Sequence, residues 1–436
     1  MARYSLAASL IALLVSNAQG HDDGTDAWSY LPVTVPTPLS DMSIVSLTLG
    51  GGNNSTEGED GDEVKTRIII TGGCDSPMGN EYMEFGEDKF FDCVSLSAKA
   101  YAFDPIRNNK FQAWTGTFET LADMPRKRAR HASAVVNGNV CLYGGRNETG
   151  SLIAEVDCYN PTSNEWSTPT SIPAERQSSD FTAFSTKDHL VYLIGGYTQD
   201  YEALDLVTVV DMSDPDNISY SDGPNLRAKR GDIDVAVVNG DVYVSGGFTH
   251  ENDYATPLNS VEKFNAETQT WSNVDSLNEE RGDKQLVALN GKVYAIGGES
   301  KVDVTGFEED ELPDLGARSE LLDTVEVLDP TEDVHGGMAQ WKSLAGMPGQ
   351  LFRFAASEWE VDEGFIFVFG GQVAYDSDCK CFRTTDKVMV FDVSHAEYEV
   401  VASSSDSGAG TIMVFGGSAM VHMFSFAVAG LLWLTL

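Results

Sequence analysis

The side chains that could do chemistry in this chain are mostly arginines. The 436-residue sequence carries 67 acidic and 28 basic residues, a formal net charge of −39. Against that background Arg126, Lys127, Arg128, Arg130, Arg176, Arg227, Lys229, Arg230, Arg281 and Arg353 fall in a few short stretches. A guanidinium is a planar fork of donors that suits bidentate capture of carboxylates. The chemistry on offer is therefore recognition of an anionic group, on a peptide or an acidic sugar. Other reactive groups do not gather. His131, His189, His250, His335, His395 and His422 are scattered, and no His stands at ligand spacing beside a Cys, so no metal site is expected. There is no Ser nucleophile elbow, no Gly-rich phosphate loop opening a helix and no EF-hand loop. We assign no catalytic residue, metal or cofactor from the sequence. So acidic a surface repels phosphate backbones, which excludes nucleic acid as a partner. The acidic runs at 57–63 and 308–311 read as solvated loops.

What positions these arginines is a repeat. Glycine pairs stand at Gly72-Gly73, Gly144-Gly145, Gly195-Gly196, Gly246-Gly247, Gly297-Gly298 and Gly370-Gly371, with three successive intervals of 51 residues and outer ones of 72 and 73. A period near fifty marks one supersecondary unit that must stack on copies of itself to bury its apolar faces. Short β-branched and aromatic runs precede each pair, such as Val-Tyr-Val-Ser at 242–245 and Phe-Ile-Phe-Val-Phe at 365–369, and read as buried strands. Asn137-Gly138, Asn239-Gly240, Asn290-Gly291 and Glu363-Gly364 mark tight hairpins before those strands. After each pair comes a third strand ending in an Asp or Asn corner, as at 101–105, 158–161, 263–265, 327–330 and 390–392. Trp114, Trp166, Trp271 and Trp341 open a fourth strand, with Tyr220 and Tyr398 in their place in the third and sixth units. Met124-Pro125-Arg126 and Met347-Pro348 then lead towards the next unit.

Gly-Gly, an aromatic strand with Asp, Trp, then Met-Pro and Arg together resemble the kelch motif, over roughly residues 28–402. The resemblance implies an all-β, six-bladed kelch-type β-propeller with four antiparallel strands per blade. Two closures of the ring are open. The segment from Trp28 to Leu47 can supply the outer strand of blade six and the inner strand of blade one, or residues 398–402 can supply that outer strand.

Strand parity puts second-to-third and fourth-to-first connections on one face of the disc. The insertions near 74–95 and 299–321, the segment 248–259 and the Cys379-Cys381 loop are all second-to-third connections, and the basic stretches are fourth-to-first connections. Arginine thus gathers on the face where the loops are elaborated. In kelch domains that bind acidic peptides, arginines at the start of the innermost strand ring the central opening. Arg128, Arg130, Arg230, Arg281 and Arg353, 14 to 17 residues before a Gly pair, stand at similar positions and are the candidate ligand-binding residues. The competing reading pairs them with Asp or Glu at blade junctions. The functional expectation is an extracellular or cell-surface module that binds a protein or glycan. The alternative is an exported carbohydrate-active enzyme, like a sialic-acid mutarotase or a copper-radical oxidase of the same fold. Nothing local supports the enzyme: the His and Tyr ligand cluster of the oxidase and the Glu-x3-Asp-x3-His pattern of nitrile specifiers are both missing. An intracellular role in ubiquitin ligases is disfavoured by the export signal.

Residues 1–20 have an apolar stretch and Ala18-Gln19-Gly20, which fits signal-peptide cleavage before His21. The propeller is then expected over 21–402, a small polar spacer with a GPI-attachment site over 403–418, and an apolar tail over 419–436. With no Lys or Arg after Lys387, that tail matches a GPI signal better than a membrane span, so attachment to the extracellular face is expected. Export brings oxidising conditions. From spacing, Cys74 pairs with Cys93 across a long loop, Cys141 with Cys158 across a symmetric hairpin, and Cys379 with Cys381, among fifteen connectivities. Sequons mark Asn53, Asn54, Asn147 and Asn217 for glycosylation.

Overall fold

A computed structural model describes residues 27–49, 65–76, 80–85, 88–93, 95–108, 113–251, 254–302, 318–332, 339–359 and 364–396. The leader, Asn53, Asn54, both acidic runs, residues 398–402 and the C-terminal tail lie outside these. The described chain forms six four-stranded antiparallel blades around a central channel, as the repeat predicts. From inner to outer strand, blade one is Ser43–Leu49, Lys65–Thr71, Ala100–Asn108 and Ala113–Thr120. Blade two is Ala132–Val136, Asn139–Tyr143, Glu155–Asn160 and Glu165–Ser171. Blade three is Thr182–Ser185, Leu190–Ile194, Val207–Asp211 and Ser219–Asp222. Blade four is Asp234–Val238, Asp241–Ser245, Val261–Asn265 and Thr270–Val274. Blade five is Gln285–Leu289, Lys292–Ile296, Val325–Leu328 and Trp341–Leu344. Blade six is Ala355–Trp359, Phe365–Phe369, Lys387–Asp392 and, from the other end of the chain, Trp28–Thr34.

Towards the Gly pair the second strands are mostly apolar, because there each is buried on both faces. Period-2 alternation sends successive side chains to different neighbours. In Phe365–Phe369, Phe365, Phe367 and Phe369 pack against Ile68, Ile70 and Phe103 of blade one, while Ile366 and Val368 pack against Val287 and Tyr294 of blade five. Similar clusters fill the junctions one–two, two–three, three–four and four–five, so apolar contact runs round the whole ring. The N-terminal closure is the one realised. Trp28 pairs with Phe391 and donates its indole N–H to Ala345 O of blade five at 3.2 Å. That is the task Trp166, Trp271 and Trp341 perform towards Ala122, Pro224 and Asp275 of their preceding blades, at 2.8, 2.8 and 3.1 Å.

Each Gly pair lies where a second strand leaves its blade against the connection entering the next. Gly246 has φ +59°, and a Cβ there would stand 2.2 Å from Arg281 O, while Gly247 N–H donates to that same oxygen at 2.8 Å. No side chain fits there, and glycine takes the left-handed backbone without a steric penalty.

All second-to-third and fourth-to-first connections meet on one face, as parity predicts, through bridges such as Ala129↔Arg146, Ser179↔Tyr197 and Gly282↔Glu299. The insertions are hairpins: Phe248–Glu251 with Tyr254–Pro257, and Glu299–Lys301 with Ser319–Leu321. In blade six, Gln372–Asp376 pairs with Cys381–Thr384, and this hairpin joins Asn80–Phe85 and Asp88–Cys93 from blade one in a further four-stranded sheet. Blades two and three close their connections with single bridges, Arg146↔Leu152 and Tyr197↔Ala203. The loop wall is therefore built over blades four, five, six and one and is low over two and three. All three disulfides form as spacing predicts, Cys141 and Cys158 being directly opposed in adjacent strands of blade two.

Candidate binding face at the channel mouth

The five candidate arginines fall into two sets. Arg128, Arg230 and Arg281 are fully buried and point into their own blades. Arg230 donates to Gly246 O at 2.8 Å, to Ser260 O at 3.0 Å and to Glu262 at 3.0 Å. Arg281 repeats this with Gly297 O at 3.0 Å, Thr324 O at 3.1 Å and Glu326 at 2.7 Å. Arg128 does so with Gly144 O and with Asp157. The carboxylates also accept backbone N–H groups of the incoming connection, Arg227 and Ala228 on Glu262 and Asn278 and Glu279 on Glu326. Each pair welds a connection to a third strand. Burial pushes the Arg128 guanidinium down to about 10 against the pull of Asp157, and Arg230 and Arg281 shift the same way for the same reason. None of the three lines the channel.

Arg130 and Arg353 do line it. They stand two residues further on in their connections, at the position filled in other blades by Asp41, Asp180, Asp232 and Asp283. All six have left-handed backbone, φ 50–58°. Their main chains make a closed hydrogen-bonded ring. Asp41 N–H donates to Arg353 O at 3.0 Å, Arg130 to Asp41 at 2.9 Å, Asp180 to Arg130 at 2.9 Å, Asp232 to Asp180 at 2.8 Å, Asp283 to Asp232 at 3.2 Å and Arg353 to Asp283 at 2.9 Å. Aspartate tolerates this conformation better than most residues, which accounts for four of the six. The ring frames one end of a channel of about 550 Å³, walled by inner-strand residues including Ser133, Thr182, Asp234 and Gln285.

Two guanidiniums face four carboxylates. Arg353 Nε lies 2.9 Å from Asp283 and 3.8 Å from Asp41, and Arg130 Nε lies 3.4 Å from Asp41 and 3.5 Å from Asp180. Burial pulls the Arg353 guanidinium down, but Asp283 and Asp41 more than reverse it. Asp232 receives the Tyr197 hydroxyl at 2.8 Å. Enclosure, and then the like charges of Asp283 and Asp180, push its carboxyl well above the usual range.

A second tier sets the ring side chains, and the sequence reading missed it. In blades two, three, five and six the residue directly after the Gly pair acts on the ring residue of the following blade. Tyr197 holds Asp232 directly. Arg146 Nε donates to Ser179 Oγ at 2.9 Å, and Ser179 donates to Asp180 at 2.6 Å. Gln372 Nε2 donates to Ser40 Oγ at 3.0 Å, and Ser40 donates to Asp41 at 2.7 Å. The buried Glu299 adds its negative charge to the field holding Arg353. The signal was in the sequence: the position after Gly-Gly reads Cys, Arg, Tyr, Phe, Glu and Gln, mostly polar groups in a buried place.

Six four-stranded blades, a Gly pair at each blade exit, the Trp lock and the buried Arg–carboxylate weld define a propeller of kelch type. The KLHDC2/KLHL20/DRC7 Kelch-repeats domain model matches residues 63–298, more than half the chain, and the protein belongs to the kelch-repeat family. It is 29% identical over 252 residues to alpha-scruin of Limulus polyphemus, covering 57% of this chain and 25% of that protein. Kelch-like protein 40 of Xenopus laevis is 24% identical over 205 residues, covering 47% of this chain and 30% of that one. The matches thus span about a quarter to a third of these relatives. Among solved structures, that titled "Structure of YjhT" superposes with a TM-score of 0.53 at 15% identity, over 83% of this chain and 97% of the other, a likeness of fold alone. A kelch propeller is a scaffold suited to protein binding.

Proposed function

We propose that this propeller is a binding module displayed outside the cell, and that its partner, an extracellular protein or glycan, docks on the loop face over the channel mouth. The observation that carries the reading is the convergence on one face of every hairpin insertion, the ring of charged side chains and the open end of the channel. Function on propellers lies in such elaborated connections, held by a rigid scaffold. Three disulfides support an oxidising compartment. The leader and the C-terminal apolar segment support export and membrane attachment through a GPI signal.

The charge of the ring revises the ligand expected from the arginines alone. Of the five, Arg130 and Arg353 alone reach the channel, and both are shared among Asp41, Asp180 and Asp283. An anionic ligand would have to displace these carboxylates. A ligand that brings cationic or hydrogen-bond-donating groups fits the mouth better. Exposed Asn217, on a third-to-fourth turn of blade three, lies on the opposite face and can carry a glycan clear of the partner, whereas Asn147 stands on the loop face.

The test is a glycan and peptide array probed with purified chain spanning residues 21–402. Saturable binding without turnover supports the module. Oxidation or mutarotation of sugars by the same preparation would replace it with the enzyme. Release of the protein from intact cells by phosphatidylinositol-specific phospholipase checks the anchor separately.

A further inference from the structure

The two ends of the described chain meet twice. The outer join lies within blade six, where Trp28–Thr34, the strand that leads into blade one, pairs with Lys387–Asp392. The second lies on the loop face, where the hairpin of blade six meets the hairpin inserted in blade one through the pairs Cys381↔Glu81 and Phe382↔Asn80. A disulfide serves each arm. Cys379–Cys381 closes the turn of the blade-six hairpin. Cys74–Cys93 ties the returning end of the blade-one hairpin to the exit of that blade's second strand.

Both arms converge on Ser40, the neighbour of the ring residue Asp41. Cys74 exchanges backbone hydrogen bonds with Ser40, at 2.7 and 3.1 Å. Gln372, fully buried at the start of the blade-six hairpin, donates to the Ser40 hydroxyl, which in turn holds the Asp41 carboxylate. The blade-six arm has its own seat, since Phe382 packs with Phe352 and Leu321 in a small apolar cluster. The blade-one arm is paired to that hairpin and tied to the exit of its own second strand by Cys74–Cys93.

We propose that this seam sheet is a thiol-responsive clasp: opening Cys74–Cys93 slackens the blade one–blade six join on the loop face and frees Asp41 from its place in the ring, while the blades stay folded. Cys93 is half-buried, whereas Cys74 is fully buried, so a dithiol attacks through Cys93. One thiolate of the dithiol bonds to Cys93 Sγ and expels Cys74 as a thiolate, which takes up a proton. The second thiol of the reagent then displaces Cys93, leaving two cysteine thiols and the oxidised dithiol. Cys141–Cys158 is buried on both sides within blade two and is the internal control. The proposal rests on the binding-face reading only for its biological consequence, since the device operates without ligand.

The experiment is graded treatment of the intact protein with dithiothreitol, with alkylation of the thiols and amide hydrogen exchange read by mass spectrometry on the same samples. We expect Cys74 and Cys93 to be alkylated at a reductant level that leaves Cys141–Cys158 closed. In that state the amides of Asp41 and Cys74 exchange at least ~10-fold faster, and those of Tyr192 and Leu193 in blade three do not change. Reduced Cys74 and Cys93 with unchanged exchange at Asp41 would overturn the clasp. So would opening of Cys141–Cys158 first, or faster exchange in blade three at the same step. The double variant Cys74→Ala/Cys93→Ala should reproduce the pattern without reductant. If that variant does not fold, the graded reduction decides. No readout here uses a ligand, so failure of the clasp and failure of the binding face are told apart.

Discussion

At the scale of the residue, two positions apart in one connection separate an arginine that builds the blade from one that faces the channel. Arg230 has neutralising and hydrogen-bonding partners in a fully enclosed place, so removing either member of the pair strands the other. Arg230→Ala or Glu262→Ala should each cost about 3–5 kcal/mol in urea unfolding, whereas Arg353→Ala, whose side chain is 14% exposed at the channel wall against none for Arg230, should cost less. Equal losses would mean that the two sets are not distinct. Lys284 gives a pH prediction. It follows the ring residue in blade five, where other blades have Met42, His131, Phe181, Ile233 and Phe354, and its ammonium donates to Ser245 O at 2.7 Å. Burial pushes it down to about 7. Between that value and the ordinary lysine range near ~10.4 the unfolded chain holds the extra proton, so folding stability rises with pH across this window and is lost as pH falls through about 7. In Lys284→Met the melting temperature should lose that rise relative to the parent, and parallel pH profiles would refute the assignment. The two arginine sets were not separable in the sequence because their positions were counted from the Gly pair. Arg230 and Arg281 lie 16 residues before theirs and Arg130, two positions further on, lies 14, while the longer hairpin between the first two strands of blade six moves Arg353 to 17. Counting from the inner strand would have aligned Arg130 and Arg353 with Asp41, Asp180, Asp232 and Asp283.

At the scale of the element, each blade is held to the one before it by a tryptophan at the start of its outer strand in four of the six. Trp28 does for blade six what Trp271 does for blade four, although it opens the first strand of the described chain. Trp28→Phe should lose about 1 kcal/mol, the net worth of one hydrogen bond, and Trp28→Ala about 3–5 kcal/mol through the cavity left beside Phe391. Chemical denaturation of both variants checks this, and a Trp28→Ala protein as stable as the parent would argue against velcro closure by the N-terminal strand. Much of this level was legible. Apolar runs before each Gly pair gave the second strands, and Trp28-Ser29-Tyr30-Leu31 already mimicked the end of a unit. The alternative of 398–402 stayed open because Tyr398 also resembles a fourth-strand residue, and two segments of similar pattern cannot be ranked by pattern alone. The pairing of hairpins from blades one and six was not legible, since it joins segments about 300 residues apart without a repeat to link them.

At the scale of the whole molecule, the face assignment followed from parity alone, because an even number of antiparallel strands fixes which connections share a side. What parity could not give is the unequal height of the loops. Hairpins stand over blades four, five, six and one, and the short bridged loops of blades two and three leave the mouth open on their side, where Asp180 and Asp232 lie. A partner is therefore expected to enter over blades two and three. The most direct test is to reverse charge on one face at a time and measure binding of an array-identified partner by surface plasmon resonance. Asp180→Arg with Asp232→Arg alters the channel mouth, and Asp214→Arg with Asp216→Arg alters an exposed turn on the opposite face by the same charge. With both proteins folded by circular dichroism, the account predicts at least ~100-fold weaker binding for the first, about 3 kcal/mol, and unchanged binding for the second. Binding that survives the first pair of changes and fails with the second would contradict it.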